Sequence, residues 1–181
     1  MDENKVLVIL DIDGVMTDGT KIYDDSHNTC YKRYNDKDFT AIKIMQRVGI
    51  KVCLCSSDET CNKGMAETRG IPFYYSRKED GTISKADLYL PMRRDLLHND
   101  FDGEVYFIGD DLFDLDIMLL LDRGYRVCPS DAPQYMKNQC GVVTECKGGE
   151  GVVAEFLSNH LAPSLDIDVV KEMINASGSM G

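Results

Sequence analysis

The stretch VLVILDIDGVMTDG, residues 6–19, decides how the chain is read. Val6 to Leu10 are apolar without interruption, as expected of a strand covered on both faces in a parallel sheet. The run then meets Asp11, Asp13 and, past Gly14, Asp18. Ligands of open α/β sheets bind outside the carboxyl ends of the strands. Carboxylates delivered there by a buried strand are therefore candidates for chemistry rather than for surface solvation.

The rest of the chain alternates in the same way. TKIYDDSHNTCYKRYN (20–35) predicts a β-hairpin around a polar turn. DKDFTAIKIMQRVG (36–49) predicts a helix stopped by glycine, and IKVCLC (50–55) a second buried strand. SDETCNKGMAETRG (57–70) predicts a helix capped by Ser57 or Asp58 and ended by Gly70. PFYYS (72–76) predicts a short strand, RKEDGT (77–82) a charged turn, and SKADLYLPMRRDLL (84–97) a helix kinked or broken at Pro91. EVYFIG (104–109) is a third strong strand, followed by a helix over 111–124 with a glycine stop. Short strands at 125–128 and 141–144 and a closing helix over 148–160 complete the pattern. The fold class is α/β, a central parallel sheet with helices on both faces. Residues 1–163 read as one domain and 164–181 as a partly disordered tail.

Lys and Arg number 20 against 31 Asp and Glu, a net charge of −11. That balance argues against nucleic acid or an anionic membrane as the main partner. No run approaches the roughly 20 apolar residues of a membrane span, and the N-terminal apolar run is too short for a signal peptide, so a cytoplasmic protein is expected. Seven cysteines without a CxxC pair, and three scattered histidines, predict reduced thiols rather than a zinc site.

Polar residues gather at three strand ends: Asp11 and Asp13, then Ser56 and Ser57, then Asp110, Asp111 and Asp114. Lys85 opens the helix between the second and third. Five carboxylates at one sheet edge repel each other unless a cation relieves them. Oxygen-only ligands predict Mg²⁺, and a lysine and a serine beside them complete a phosphate cradle. A calcium loop starting at Asp11 fails, because its sixth and twelfth positions hold Met16 and Ile22.

DIDGVMTDG, LCSS, ISKAD and IGDDLFD resemble the four motifs of the haloacid dehalogenase superfamily, most of whose members are phosphatases. DGVMTDG, the hairpin, YNDKDFTAIK, GDDLFDL and KGGEGVVAEF are similar to its cap-less branch, which dephosphorylates eight- and nine-carbon sugar acids. The resemblance implies a Rossmann-like three-layer α/β/α fold with an inserted hairpin. It implies Asp11 as nucleophile, Asp13 as general acid and base, and Mg²⁺ held by Asp11, the Asp13 carbonyl and Asp110. Ser56 would donate to a phosphoryl oxygen and Lys85 would neutralise charge, although Ser56 is also a candidate helix cap. Asp111 would orient a metal-bound water or Lys85, and Asp114 is either a ligand or a structural partner.

Substrate contacts are expected at Asn35 and Asp38, which match the branch's loop, and at Ser57. Lys43 and Lys147 are candidates for a substrate anion, with a solvated surface as the alternative. The strand-end signature departs from the family: SSDE places Asp58 and Glu59 where the octulosonate enzymes favour arginine. The implied partner is a phosphorylated sugar acid, and the implied assembly a homotetramer. Ile22, Tyr23, Tyr31 and Tyr34 would then pack over a neighbouring subunit's site. Two other readings remain: a phosphatase for another small sugar phosphate on the same machinery, and a non-catalytic oligomerisation module, against which intact Asp11, Asp13, Lys85 and Asp110 argue.

Overall fold

The computed structural model describes residues 5–98, 103–161 and 171. Six parallel strands form the sheet: β1 (Val6–Leu10), β4 (Lys51–Ser56), β5 (Phe73–Tyr75), β6 (Glu104–Ile108), β7 (Arg126–Cys128) and β8 (Val142–Val143). Their order is β5-β4-β1-β6-β7-β8, so β1 is central and the chain reverses direction across it. Leu10 lies between Leu54 of β4 and Ile108 of β6.

The unbroken apolar run of β1 is explained by two cores. Val6, Val8 and Leu10 face α1 (Asp36–Arg47) and α6 (Val152–Phe156), among Phe39, Ile42, Met45 and Phe156. Leu7 and Ile9 point the other way, toward α3 (Ala86–Leu97) and α4 (Leu115–Met118), among Met92, Leu97, Ile117 and Met118. Successive strand side chains alternate faces, so every position of a doubly covered strand must be apolar.

The hairpin forms from β2 (Ile22–Tyr23) and β3 (Thr29–Tyr31), antiparallel, about a turn in which Asp24 Oδ1 accepts from the N–H groups of Ser26 and Asn28. Three expectations need correction. The helix expected over 57–70 is α2 (Asn62–Arg69) and starts later. Neither Ser57 nor Asp58 caps it. Asp58 Oδ1 instead accepts from Thr60 N–H, and Ser56 Oγ from Asp58 N–H, a local turn that competes with helix. Gly70 does end α2, in the left-handed region at φ 65°. Pro91 does not break α3. Its missing N–H falls opposite Asp87 in the solvated first turn, while Met92 and Leu97 continue to bury the helix. The helix expected over 111–124 is a 3₁₀ turn (Leu112–Asp114) followed by the single turn of α4, and Gly124 lies inside a later 3₁₀ turn. The closing helix is α6, extended by a π turn over Leu157–Leu161. α2 follows β4, and α5 (Gln134–Lys137) follows β7. The tail expected to be disordered lies outside the described residues except for Lys171. Among the described residues no helix is long and apolar enough to cross a membrane.

Candidate active site

The chain reversal leaves a crevice beyond the carboxyl ends of β1 and β6, and the acidic residues meet there. Asp11 is buried, and its N–H extends the ladder to the Ile108 carbonyl at 2.9 Å. Lys85, at the N-cap of α3, reaches under the strand ends with only 3% of its side chain exposed. Its Nζ is 2.7 Å from Asp11 Oδ1 and also bonds Asp114 Oδ1. Asp114 Oδ2 accepts from the N–H groups of Asp110 and Asp111, at 2.9 and 3.1 Å. Both oxygens of Asp114 are thus occupied, which makes it the holder of Lys85 and of the loop after β6. Asp111 was expected to orient a metal-bound water or Lys85; its Oδ1 instead accepts from Phe113 N–H and caps the 3₁₀ turn.

Oxygens of Asp11, Asp110 and Asp114 lie within 4.8 Å of one another. Burial, opposed by Lys85 and reinforced by Asp114, raises the Asp11 carboxyl to about 7. Burial and then the neighbouring charges of Asp11, Asp114 and Asp111 push Asp110 up to about 8. Burial alone would favour neutral Lys85, but Asp11 and Asp114 outweigh it and raise its pKa above the ordinary value. Asp110 Oδ1 is buried without a hydrogen-bond partner. Gly14, at φ +89°, passes so close that a Cβ would collide with the Asp110 carboxylate. An orphaned buried oxygen beside mutually repelling carboxylates fits a hard divalent cation.

The outer wall of the site comes from the hairpin and from the turn after β4. Lys32 Nζ, fully buried, is 2.8 Å from the Asp13 carboxylate and 3.1 Å from both Asp58 Oδ2 and Asn62 Oδ1. All three ammonium donors are therefore used. Asn62 Nδ2 donates to Asp13 at 3.2 Å and to Ser56 Oγ at 3.3 Å. Lys21 Nζ is 2.7 Å from Asp58 Oδ2. Burial works against the Asp58 charge, but hydrogen bonds from Lys21 and Lys32 outweigh it and hold its carboxyl below the usual range. The acidic residue that departs from the family signature is the anchor of the hairpin. Sequence reasoning missed Lys21, Lys32 and Asn62. The one available signal for Lys32 was strand alternation, since Tyr31 and Arg33 on either side are exposed.

A cleft of about 480 Å³ opens over this centre, lined by Asp11, Asp13, Ser56, Ser57, Lys85, Asp111 and Asp114, together with Lys21 and Arg77. Four expected substrate contacts are not in its lining. Asn35 caps α1 by accepting from Lys37 N–H. Asp38 is wholly buried, and its Oδ1 accepts from Val153 and Ala154 N–H, so it caps α6. Lys43 is exposed on α1, beside a separate small hollow. Lys147 is exposed; the Gly148–Gly149 turn beside it packs so tightly on the Gly14–Asp18 loop that side chains would not fit. Tyr34, expected at an interface, faces inward: it donates to Asn62 Oδ1 at 2.9 Å and packs on Phe39.

No protein-family model matches the chain. The 3-deoxy-D-manno-octulosonate 8-phosphate phosphatase KdsC of Haemophilus influenzae is 29% identical over 183 residues, spanning 99% of this chain and 97% of that protein. The cobalt-bound deoxy-D-mannose-octulosonate 8-phosphate phosphatase (YrbI) of the same organism superposes with a TM-score of 0.76 at 25% identity, covering 91% of each chain. The chain is a phosphatase, similar to these enzymes along nearly its whole length. The hypothetical protein XCC2798 of Xanthomonas campestris is also similar, with a TM-score of 0.79 at 27% identity over 97% of this chain and 90% of that one. In this phosphatase Asp11, Ser56 and Lys85 line one cleft, and Asp110 meets Asp11 at the same sheet edge.

Proposed function

We propose that the phosphatase hydrolyses a phosphorylated 2-keto-3-deoxy sugar acid, of the octulosonate 8-phosphate or nonulosonate 9-phosphate type, with Mg²⁺ and through an aspartyl-phosphate. The observation that carries the chemistry is the Asp11–Lys85–Asp114 chain beside the orphaned oxygen of Asp110. The substrate class rests on the likeness to KdsC along nearly the whole chain.

Lys85 binds one oxygen of Asp11 and leaves the other for attack on phosphorus. The new Asp11 O–P bond forms as the bond from phosphorus to the leaving oxygen breaks, and Asp13 gives that oxygen its proton. Asp13 then takes a proton from water, which attacks phosphorus and releases phosphate and free Asp11. Lys32 lies against Asp13 and stabilises the carboxylate that Asp13 becomes after each donation. Ser56 Oγ accepts from Asp58 N–H and Asn62 Nδ2 and donates to the Asp58 carbonyl at 3.2 Å; it would turn that O–H to a phosphoryl oxygen when substrate binds. Asp11, Asp110 and the Asp13 carbonyl would hold Mg²⁺, which when bound neutralises phosphoryl charge. These roles belong to one domain, residues 1–163, and the exposed Ile22, Tyr23 and Tyr31 of the hairpin are the proposed contact with further copies in a homotetramer.

The test is a panel of octulosonate 8-phosphate, nonulosonate 9-phosphate and carboxylate-free sugar phosphates, scored by kcat/KM with and without chelator. Mg²⁺-dependent turnover with the acids preferred is expected. Full turnover in chelator refutes the metal, and preference for a carboxylate-free sugar phosphate refutes the substrate class.

A further inference from the structure

The charged excursion RKEDGT belongs to none of the roles above. It folds as a small antiparallel loop in which Arg77 pairs with Ile83 and Lys78 N–H donates to the Thr82 carbonyl at 2.8 Å. The loop delivers Arg77 to the cleft wall. Arg77 Nε donates to the Ser57 carbonyl at 3.2 Å, and Nη1 to the Gly81 carbonyl at 3.3 Å. Ser57 follows Ser56 directly, so the guanidinium is tied to the strand end that carries the candidate phosphoryl donor.

Three cations line the cleft. Lys85 is matched by Asp11 and Asp114, and Lys21 by Asp58. Arg77 is held by neutral carbonyls and, among the described residues, has no carboxylate partner. Its charge is fixed in place without being neutralised, and two backbone bonds leave further N–H groups of its fork available. A sugar-acid phosphate brings two anions, and the phosphate end is served by Lys85 and Ser56. A planar guanidinium suits a carboxylate through paired hydrogen bonds.

We infer that Arg77 binds the carboxylate of the substrate and sets the preference for a sugar acid over an uncharged sugar. The inference rests on the substrate class proposed above. Lys43 and Lys147, the cations the sequence suggested for this task, do not line the cleft.

The experiment compares a sugar-acid phosphate, its carboxamide analogue and an aryl phosphate on the wild type, Arg77→Gln and Arg77→Lys. It adds calorimetric binding of the unphosphorylated sugar acid. Loss of a charge-assisted pair lowers kcat/KM for the acid in Arg77→Gln by about 10- to 100-fold. The carboxamide and the aryl phosphate are much less affected, which also reports an intact Asp11 centre. Arg77→Lys recovers part of the loss, and binding of the free sugar acid weakens in parallel. An Arg77→Gln enzyme that keeps the wild-type ratio of acid to carboxamide overturns the inference alone. An equal fall on all three substrates also overturns it, by making Arg77 a support of the loop or the phosphate. A wild type that turns over acid and carboxamide equally overturns the sugar-acid reading, and this inference with it.

Discussion

Asp110→Asn should destroy metal binding and yet stabilise the metal-free protein at alkaline pH. The Asp110 carboxyl rises from 3.8 to about 8 in the fold, chiefly through burial and then through Asp11. The folded protein therefore holds this proton more tightly than the unfolded chain does. Stability is fully present below about pH 4 and is lost progressively as pH rises from 3.8 toward 8. At about 1.4 kcal/mol for each tenfold change in proton affinity, the ionised group costs on the order of 5 kcal/mol at pH 8. Asp11, raised to about 7 in the same field, adds to the fall over the same window. An asparagine removes the charge but leaves a buried polar group, so a gain of about 2–3 kcal/mol is expected. For a chain of this length that is a rise of about 5–10 °C in Tm. Differential scanning calorimetry in chelator at pH 6 and pH 8 measures it. The wild type should melt lower at pH 8 than at pH 6, and Asp110→Asn should show a smaller drop. Added Mg²⁺ should raise the wild-type Tm at pH 8 and leave Asp110→Asn unmoved. A chelated wild type equally stable at both pH values, with Asp110→Asn melting below it at pH 8, would refute the reasoning.

Asp11→Asn should abolish phosphate release, because an amide is a poor nucleophile, whereas Asp13→Asn should cripple turnover but still bind Mg²⁺ in titration calorimetry; near wild-type activity in Asp11→Asn rules out the covalent route. Lys32→Met leaves Asp13 and Asp58 facing each other without their shared cation. It should cost about 3 kcal/mol in urea unfolding and lower kcat, and a variant as stable and active as the parent would contradict the network. Ile22→Asp with Tyr31→Asp should lower the oligomeric state in light scattering and raise KM for the sugar-acid phosphate. Both side chains are largely exposed in the isolated chain, and a fully active wild-type monomer would dismiss the hairpin interface.

The sequence by itself determined the strands, their parallel arrangement and the ends at which chemistry collects. Those features are local: Val6–Leu10 is apolar because both faces of β1 are covered, and the motif aspartates follow their strands within a few residues. Tertiary structure alone decided what each polar group meets. Lys32 and Asp13 are 19 positions apart, Asn62 and Asp13 are 49 apart, and Asp38 and Val153 are 115 apart. Asp38 matched a substrate loop by spacing, yet the unpaired N–H groups at the start of α6 claim it. Asp58 stands where the octulosonate enzymes favour arginine, and two hairpin lysines claim it. The motif suggested Asp111 as a residue that orients Lys85, yet the turn after β6 aims Asp114 at Lys85 and leaves Asp111 to cap the 3₁₀ turn. A buried charge takes whichever partner the packed chain brings within about 3 Å, and sequence spacing does not encode that distance across separate elements.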